Sequence, residues 1–353
     1  MITLQEMMDK LKYYNGEPVQ FMEVCGTHTN SIFKNGIPGM LSKNIKLISG
    51  PGCPVCVTSG NYIDRAAEIS MKENTVLYTF GDMIKVPGYN TSLSAAKAKG
   101  GRVEVMYSPF DVLNLAIANP STTFVIAAVG FETTTPIYAL LLDKMIKNDI
   151  HNIHFLTALK TIVPALEWIC GSNPNIDGFI GPGHVSAILG YDIYKKACSK
   201  CSIPMAVAGF EAEEIIAAIY DLLIQSERKT SQVHNLYQSV VTSKGNPKAI
   251  SITDKYFQAE SASWRGLGSI GDSGLFLRDE YIEYDEDSRS IGVDEKQDQG
   301  CRCGEVIIGK VTPDECPWFA NECTPSTPHG PCMVSIEGTC GIWVRNGAKK
   351  ICK

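Results

Sequence analysis

Short apolar runs alternate with amphipathic stretches from residue 19 to about residue 230. "PVQFMEV" leads into "CGTHTNSIFKNG", "NIKLISG" precedes "NYIDRAAEISMKE", and "RVEVMYS" precedes "PFDVLNLAIANP". Further on, "TTFVIAAVGF" precedes "ETTTPIYALLLDKMIK", "IDGFIGPG" precedes "HVSAILGYDIYKKACSK", and "IPMAVAGF" precedes "EAEEIIAAIYDLLIQ". These runs are apolar almost throughout, as strands covered on both faces are, and the stretches between them have helical spacing. The repetition predicts an α/β protein: two parallel-sheet α/β units with flanking helices.

"IANPSTT" breaks the pattern and sets a boundary near residue 118, giving units 1–118 and 119–235. "VIAAVGFETTT" and "MAVAGFEAEEI" echo one another: an apolar strand, Gly-Phe-Glu, then a helix start. Glu132 and Glu211 fall in first helical turns, where dipole complementarity and capping account for an acid. After "SERKTSQVHN" the periodicity fades. Residues 251–300 are rich in Gly and Ser and carry the acidic "RDEYIEYDEDSRSIGVDEKQDQG", which predicts irregular structure with a solvated strip. Residues 236–353 form an irregular C-terminal unit ending in a cysteine-dense segment.

Composition narrows the function classes. With 353 residues, 44% hydrophobic and 20% charged, the chain suits a compact fold of more than one domain. Its formal net charge of −6 and lack of a basic stripe argue against a nucleic-acid partner. The N-terminal "MITLQEMMDKLKYYNG" lacks the pattern of a secretory signal. The most apolar stretch spans about ten residues where a membrane helix needs roughly twenty, so no membrane role and a cytoplasmic location are expected. Thirteen cysteines is an odd and high number, ill suited to a disulfide framework in that compartment. Metal binding or thiol chemistry is the better expectation.

The cysteines fall into distinct settings. Cys53 and Cys56, in "SGPGCPVCVT", follow a strand and precede a helix, where ligand sites gather in open α/β sheets and where helix N–H groups activate a thiol. They read as a redox dithiol, a metal half-site or inert thiols. Cys25 occupies the same kind of turn, with His28 three residues on, as nucleophile and base, as two metal ligands, or as a buried Cys and a capping His. Gly26 would let the backbone approach a bound group. Cys198 and Cys201 lie at a helix C-terminus, where the dipole disfavours a thiolate, and read as structural; Cys170 and Cys352 have no such context. Six more, Cys301, Cys303, Cys316, Cys323, Cys332 and Cys340, lie in the Pro- and Gly-broken tail. Their spacing has no paired CxxC knuckles and is not the compact ferredoxin run. It reads as an irregular four-thiolate [4Fe–4S] site with two thiols to spare, or as structural zinc or unliganded thiols. In the CxC of Cys301 and Cys303 one thiol can ligate while its neighbour lies beside the cluster. Asp82 in "FGDMIKVPG" and His184 in "GPGHVSAILG" follow strands and can converge on the same cleft, or serve as a cap and a turn residue. "GLGSIG" (266–271) follows no convincing strand, and no nucleotide motif is present.

Taken in order, "FMEVCGTHT", "SGPGCPVCVT", "FGDMIKVPG", "VGFETTTP", "GPGHVSAILG", "RGLGSIGDSGL" and "CTPSTPHGPCMVSIEGTC" resemble the HypD family of hydrogenase maturation factors. The resemblance implies a monomeric α/β protein with a [4Fe–4S] cluster. It implies assembly of the Fe(CN)2(CO) unit of [NiFe]-hydrogenases with a small HypC-type partner and a HypE-type cyanide donor, and the hydrogenase large subunit as an indirect partner. By the same resemblance Cys25 holds a mononuclear iron, transiently carrying CN and CO, and Cys53 and Cys56 are the family's CxxC. Similarity to ferredoxin–thioredoxin reductase sites assigns Cys301, Cys316, Cys323 and Cys340 to the cluster and leaves Cys303 and Cys332 as the neighbouring redox pair. One position departs from the family: Asn30 stands where a second histidine is usual, and Asn is a poor iron ligand. The competing expectations are a cluster-dependent thiol–disulfide oxidoreductase and a zinc-stabilised binding protein.

Overall fold

A computed structural model describes residues 2–172, 175–294 and 300–347. Eleven strands among the described residues make two sheets. The first has the order β2-β1-β7-β8-β9, all parallel: β1 Val19–Glu23, β2 Ile45–Ser49, β7 Gly178–Gly181, β8 Met205–Val207 and β9 Val233–Asn235. The second has the order β10-β11-β6-β5-β3-β4: β3 Thr75–Thr79, β4 Val103–Val105, β5 Thr123–Gly130, β6 Ile153–Lys160, β10 Phe257–Trp264 and β11 Gly268–Leu277. Its β3–β6 core is parallel, with β5 and β6 paired from Phe124↔Ile153 to Gly130↔Leu159. The α/β class and the flanking helices are as the apolar runs predict.

The helices are α1 Leu4–Lys12, α2 Gly26–Lys34, α3 Pro54–Val57, α4 Gly60–Ser70, α5 Leu93–Ala98, α6 Asp111–Ala118, α7 Thr135–Lys147, α8 Ile162–Ser172, α9 Gly183–Leu189, α10 Tyr194–Cys201, α11 Ala212–Arg228, α12 Pro247–Tyr256, α13 Cys303–Ile307, α14 Pro331–Val334 and α15 Thr339–Arg345. Leu11 of α1 and Ile215 and Leu222 of α11 cover the outer face of the first sheet with Phe21. Val112 of α6, Tyr138 and Leu142 of α7 and Tyr256 of α12 cover the second with Phe124 and Phe155. A central core lies between the sheets and joins Met22 and Ile48 to Val125 and Leu156, and both to Cys303, Ile307 and Cys332 of the tail. The tail is thus packed into the molecule's main core, while its outer part has a small core of its own around Phe319 and Met333.

Two expectations change. The cut near residue 118 falls between β4 and β5, which belong to one sheet, and residues 119–235 supply strands to both sheets. Local pattern marks each strand but carries no information on which sheet it joins. Residues 257–277 are also not irregular: β10 and β11 form an antiparallel hairpin with a bulge between Glu260 and Ala262, and β11 pairs antiparallel with β6. "GLGSIG" runs from the tip of this hairpin into the start of β11. Gly266 has φ +76 there, and a Cβ on it would stand 2.6 Å from Gly304 Cα, so the tip is in backbone contact with the CxC turn. The neighbouring Arg265 N–H donates to Val57 O at 3.0 Å, fixing α3 to the same tip.

Candidate metal and thiol site

The turns after β1, β2, β5 and β7 and the tail meet between the sheets. This places the site at the C-terminal ends of parallel strands, the usual ligand position in such folds. Cys25 leaves β1 in extended conformation and caps α2. Its backbone N–H donates to Glu23 Oε2 at 3.0 Å, and the backbone N–H groups of His28 and Thr27 lie near its sulfur. Those donors favour a thiolate, but burial outweighs them and pushes the thiol up to about 11. Cys25 is therefore a protonated thiol near neutral pH.

Glu23 lies behind Cys25, fully buried, accepting also from the Thr29 hydroxyl. Burial raises its carboxyl to about 8. Gly26 is constrained by the tail rather than by a bound group: a Cβ there would lie 2.5 Å from Glu337 Cβ and O. Thr27 Oγ1 donates to Glu337 Oε1 at 3.2 Å. Burial raises the Glu337 carboxyl, and raises Asp82, which is hydrogen-bonded to Ser335. Glu23 and Glu337 were not singled out from sequence; a lone acid closing an apolar strand, or set within a cysteine array, is the signal each leaves.

The His28 ring turns away from the Cys25 sulfur. Its Nε2 donates to Gly209 O at 2.8 Å, and its face packs on Phe210 at 4.8 Å. Burial lowers it to about 4, so it is neutral, and Nδ1 is buried without a hydrogen-bond partner. Its link to Cys25 is through the backbone, not as a ring base. His184 stacks on the other part of Phe210 at 4.2 Å and borders a cavity of about 210 Å3 shared with Cys25, Gly52, Thr133, Thr134 and Glu337. Glu132, beside that cavity, accepts from Ile162 N–H at the start of α8 at 2.8 Å, capping a helix other than the one it precedes. Glu211 does cap its own helix, in a box with Glu214.

The second turn presses on the first. Gly26 N–H donates to Gly52 O at 3.3 Å, and a Cβ on Gly52 would lie 2.4 Å from Cys25 Cα and N. One residue later Cys53 caps α3 and accepts the Cys56 N–H on its sulfur at 3.2 Å. Cys56 is in side-chain hydrogen-bonding contact with Cys53 and with Cys332. Cys332 contacts Cys303 and Cys340, and Cys303 contacts Cys301. Burial and neighbouring sulfurs raise Cys56, Cys303 and Cys332.

All six tail cysteines line one cavity, walled by Val306, Trp318, Phe319 and Met333. Cys316 and Cys323 pack with Phe319 and Met333, whereas Cys303 and Cys332 belong to the central core with Cys53 and Cys56. Backbone N–H groups of His329 and Gly330 point at the Cys323 sulfur, the first at 3.3 Å. A Cβ on Gly330 would lie 2.7 Å from the Cys301 sulfur, so glycine there clears the cavity wall. Among the described residues, no three His, Cys, Asp or Glu side chains converge on a single metal ion. Cys170, Cys198 and Cys201 lie together elsewhere, and Cys352 is outside the described residues. No described helix is long and apolar enough to cross a membrane.

Comparison with known proteins agrees with the geometry. A family profile, HypD, described as "Hydrogenase formation hypA family", matches residues 2–347. The chain is 40% identical to the hydrogenase maturation factor HypD of Escherichia coli K12 over 344 residues, 96% of this chain and 92% of that one. It is 38% identical to HypD of Azotobacter vinelandii over 94% of this chain and 90% of the relative. With HypD of Rhodobacter capsulatus the identity is 36% over 99% of this chain and 95% of the relative. The chain belongs to the HypD family of hydrogenase maturation factors.

Proposed function

We propose that the chain holds a mononuclear iron at Cys25 while cyanide and CO are added to it, with a HypC-type partner sharing the iron and a HypE-type protein donating cyanide. The observation that carries this reading is the unbroken series of sulfur contacts from Cys53 through Cys56 and Cys332 to Cys303, one residue after the Gly52 contact with Cys25. The chain belongs to a maturation family, and this arrangement supports reading Cys25 as a thiol anchor with a thiol relay beside it.

Each residue has a part. Iron is the cargo, and the Cys25 thiol gives up its proton on binding it; the N–H groups of Thr27 and His28 then stabilise the sulfur's charge. The Glu23 carboxyl, raised by burial to about 8, can hold a proton near neutral pH, and the Glu337 carboxyl, also raised by burial, stands beside the same turn. Cys303 and Cys332, in contact, form the inner dithiol, and Cys53 and Cys56 the outer one; exchange between Cys56 and Cys332 connects them.

Cys301, Cys316, Cys323 and Cys340 are the residues that would hold a [4Fe–4S] cluster. Four soft donors, an apolar wall and N–H groups aimed at Cys323 suit one. When bound, the cluster would supply single electrons next to the inner dithiol.

The test is infrared spectroscopy on the chain purified anaerobically with its small partner. Cyanide and CO bands in the native complex, lost in Cys25→Ala while tail iron is retained, support the reading. Bands that survive Cys25→Ala contradict it, and a brown protein that exchanges disulfides but never carries these bands returns the oxidoreductase alternative.

A further inference from the structure

Cys170, Cys198 and Cys201 play no part in the site described above. Cys170 lies near the end of α8, and Cys201 is the last residue of α10. The two thiols are in side-chain hydrogen-bonding contact, with Cys198, one helical turn before Cys201, close to both. Cys198 is buried, whereas Cys170 and Cys201 are both partly exposed. Lys200 bonds Glu167 of α8 at 2.5 Å, which holds α8 and α10 together where the sulfurs meet and keeps an ammonium near them. Contact between the sulfurs and their access to solvent open the pair to a disulfide oxidant, and the Lys200–Glu167 bond holds the two helices together there.

We propose that Cys170 and Cys201 are a redox modification site, closing to a reversible disulfide by exchange with a small disulfide of the glutathione class. Cys201, with the Lys200 ammonium nearby to offset the helix C-terminus, gives up its proton and attacks one sulfur of the small disulfide, making a mixed disulfide and releasing one thiolate. Cys170 loses its proton and attacks the Cys201 sulfur, expelling the second thiolate. The two protein thiols lose two electrons to form one S–S bond. The small disulfide gains those electrons and leaves as two thiols, which take up the two protons. Burial and the neighbouring sulfur push the Cys170 thiol up, so Cys170 does not make the first attack. A transient bridge of this kind is the form cytosolic disulfides take. The closed bridge spans residues 170–201, which carry β7 and α9 and with them His184 at the border of the Cys25 cavity.

The experiment incubates the full chain, reduced and anaerobic, with glutathione disulfide, blocks free thiols with an alkylating agent and maps tryptic peptides without reduction. Cleavage after Lys160, Lys195, Lys196 and Lys200 puts Cys170, Cys198 and Cys201 in three separate peptides. The expected product is the Cys170 peptide joined to the Cys201 peptide, lighter by two hydrogens than their sum and lost on adding a dithiol reductant. Cys198→Ser should leave the bridge intact, and Cys201→Ser should abolish it. Recovery of Cys170 and Cys201 as alkylated free thiols in the native chain, a Cys170–Cys198 bridge in place of the expected one, or glutathione left on Cys201 without resolution would each overturn the proposal.

Discussion

The Cys56 thiol, on the turn after the second strand, is in contact with the Cys332 thiol of the C-terminal segment. Both residues are buried in the core between the sheets. In a Cys53→Ser, Cys303→Ser double variant these two sulfurs lose the dithiol partners assigned above, and Cys340 is the other sulfur left in contact with Cys332. Mild oxidation should then join Cys56 to Cys332, seen as one linked peptide on non-reducing mapping. Two separately blocked thiols would place the segments apart.

Gly52 is where the Cys25 turn and the CxxC turn touch. A Cβ there meets backbone, which cannot rotate away. Gly52→Ala should lower stability by about 1–3 kcal/mol in chemical denaturation, the range for overpacking. It should also speed alkylation of Cys25 by parting the two turns. Gly171→Ala, where a Cβ meets nothing within 4 Å, is the control and should stay within about 1 kcal/mol of the native chain.

Glu132 is 6% exposed, and its Oε2 has no hydrogen-bond partner. Burial raises it to about 7 from 4.5. Between those values the native chain holds a proton that the unfolded chain has lost. Its contribution to stability therefore falls as pH rises through that window and stays low above it. His28, lowered to about 4 from 6.5, acts in the opposite sense, its contribution rising with pH between those values. Comparing Glu132→Gln with the native chain isolates the first group. The variant should gain on the native chain by up to about 3 kcal/mol between pH ~4.5 and ~7. Urea denaturation at several pH values measures it, and parallel curves would contradict the assignment.

Strands such as β1, β5 and β6 were legible because parallel strands covered on both faces are apolar along their length. Their division between two sheets was not, since β4 and β5 join one sheet and β1 and β7 the other through pairings that no local pattern encodes. The β10–β11 hairpin was missed because it alternates buried and exposed residues weakly and its tip is mostly glycine and serine. Cys25, Cys53 and Cys56 could be placed at strand ends by reading outward from apolar runs. The contact of Cys56 with Cys332 could not, because it depends on the tail entering the core. His28 shows the same limit: the spacing put it beside Cys25, but the pull of the Gly209 carbonyl decides where its ring points.

The central claim is that the sulfurs of the first sheet's turns and those of the tail form one connected array. The most direct measurement oxidises the anaerobically prepared chain, delivers electrons with a one-electron donor too large to enter the core, and counts alkylatable thiols at Cys53 and Cys56. The native chain should recover both, and Cys332→Ser, prepared so that it retains the proposed tail cluster, should leave them oxidised. Equal recovery in the two proteins would mean that the CxxC is reduced without the tail.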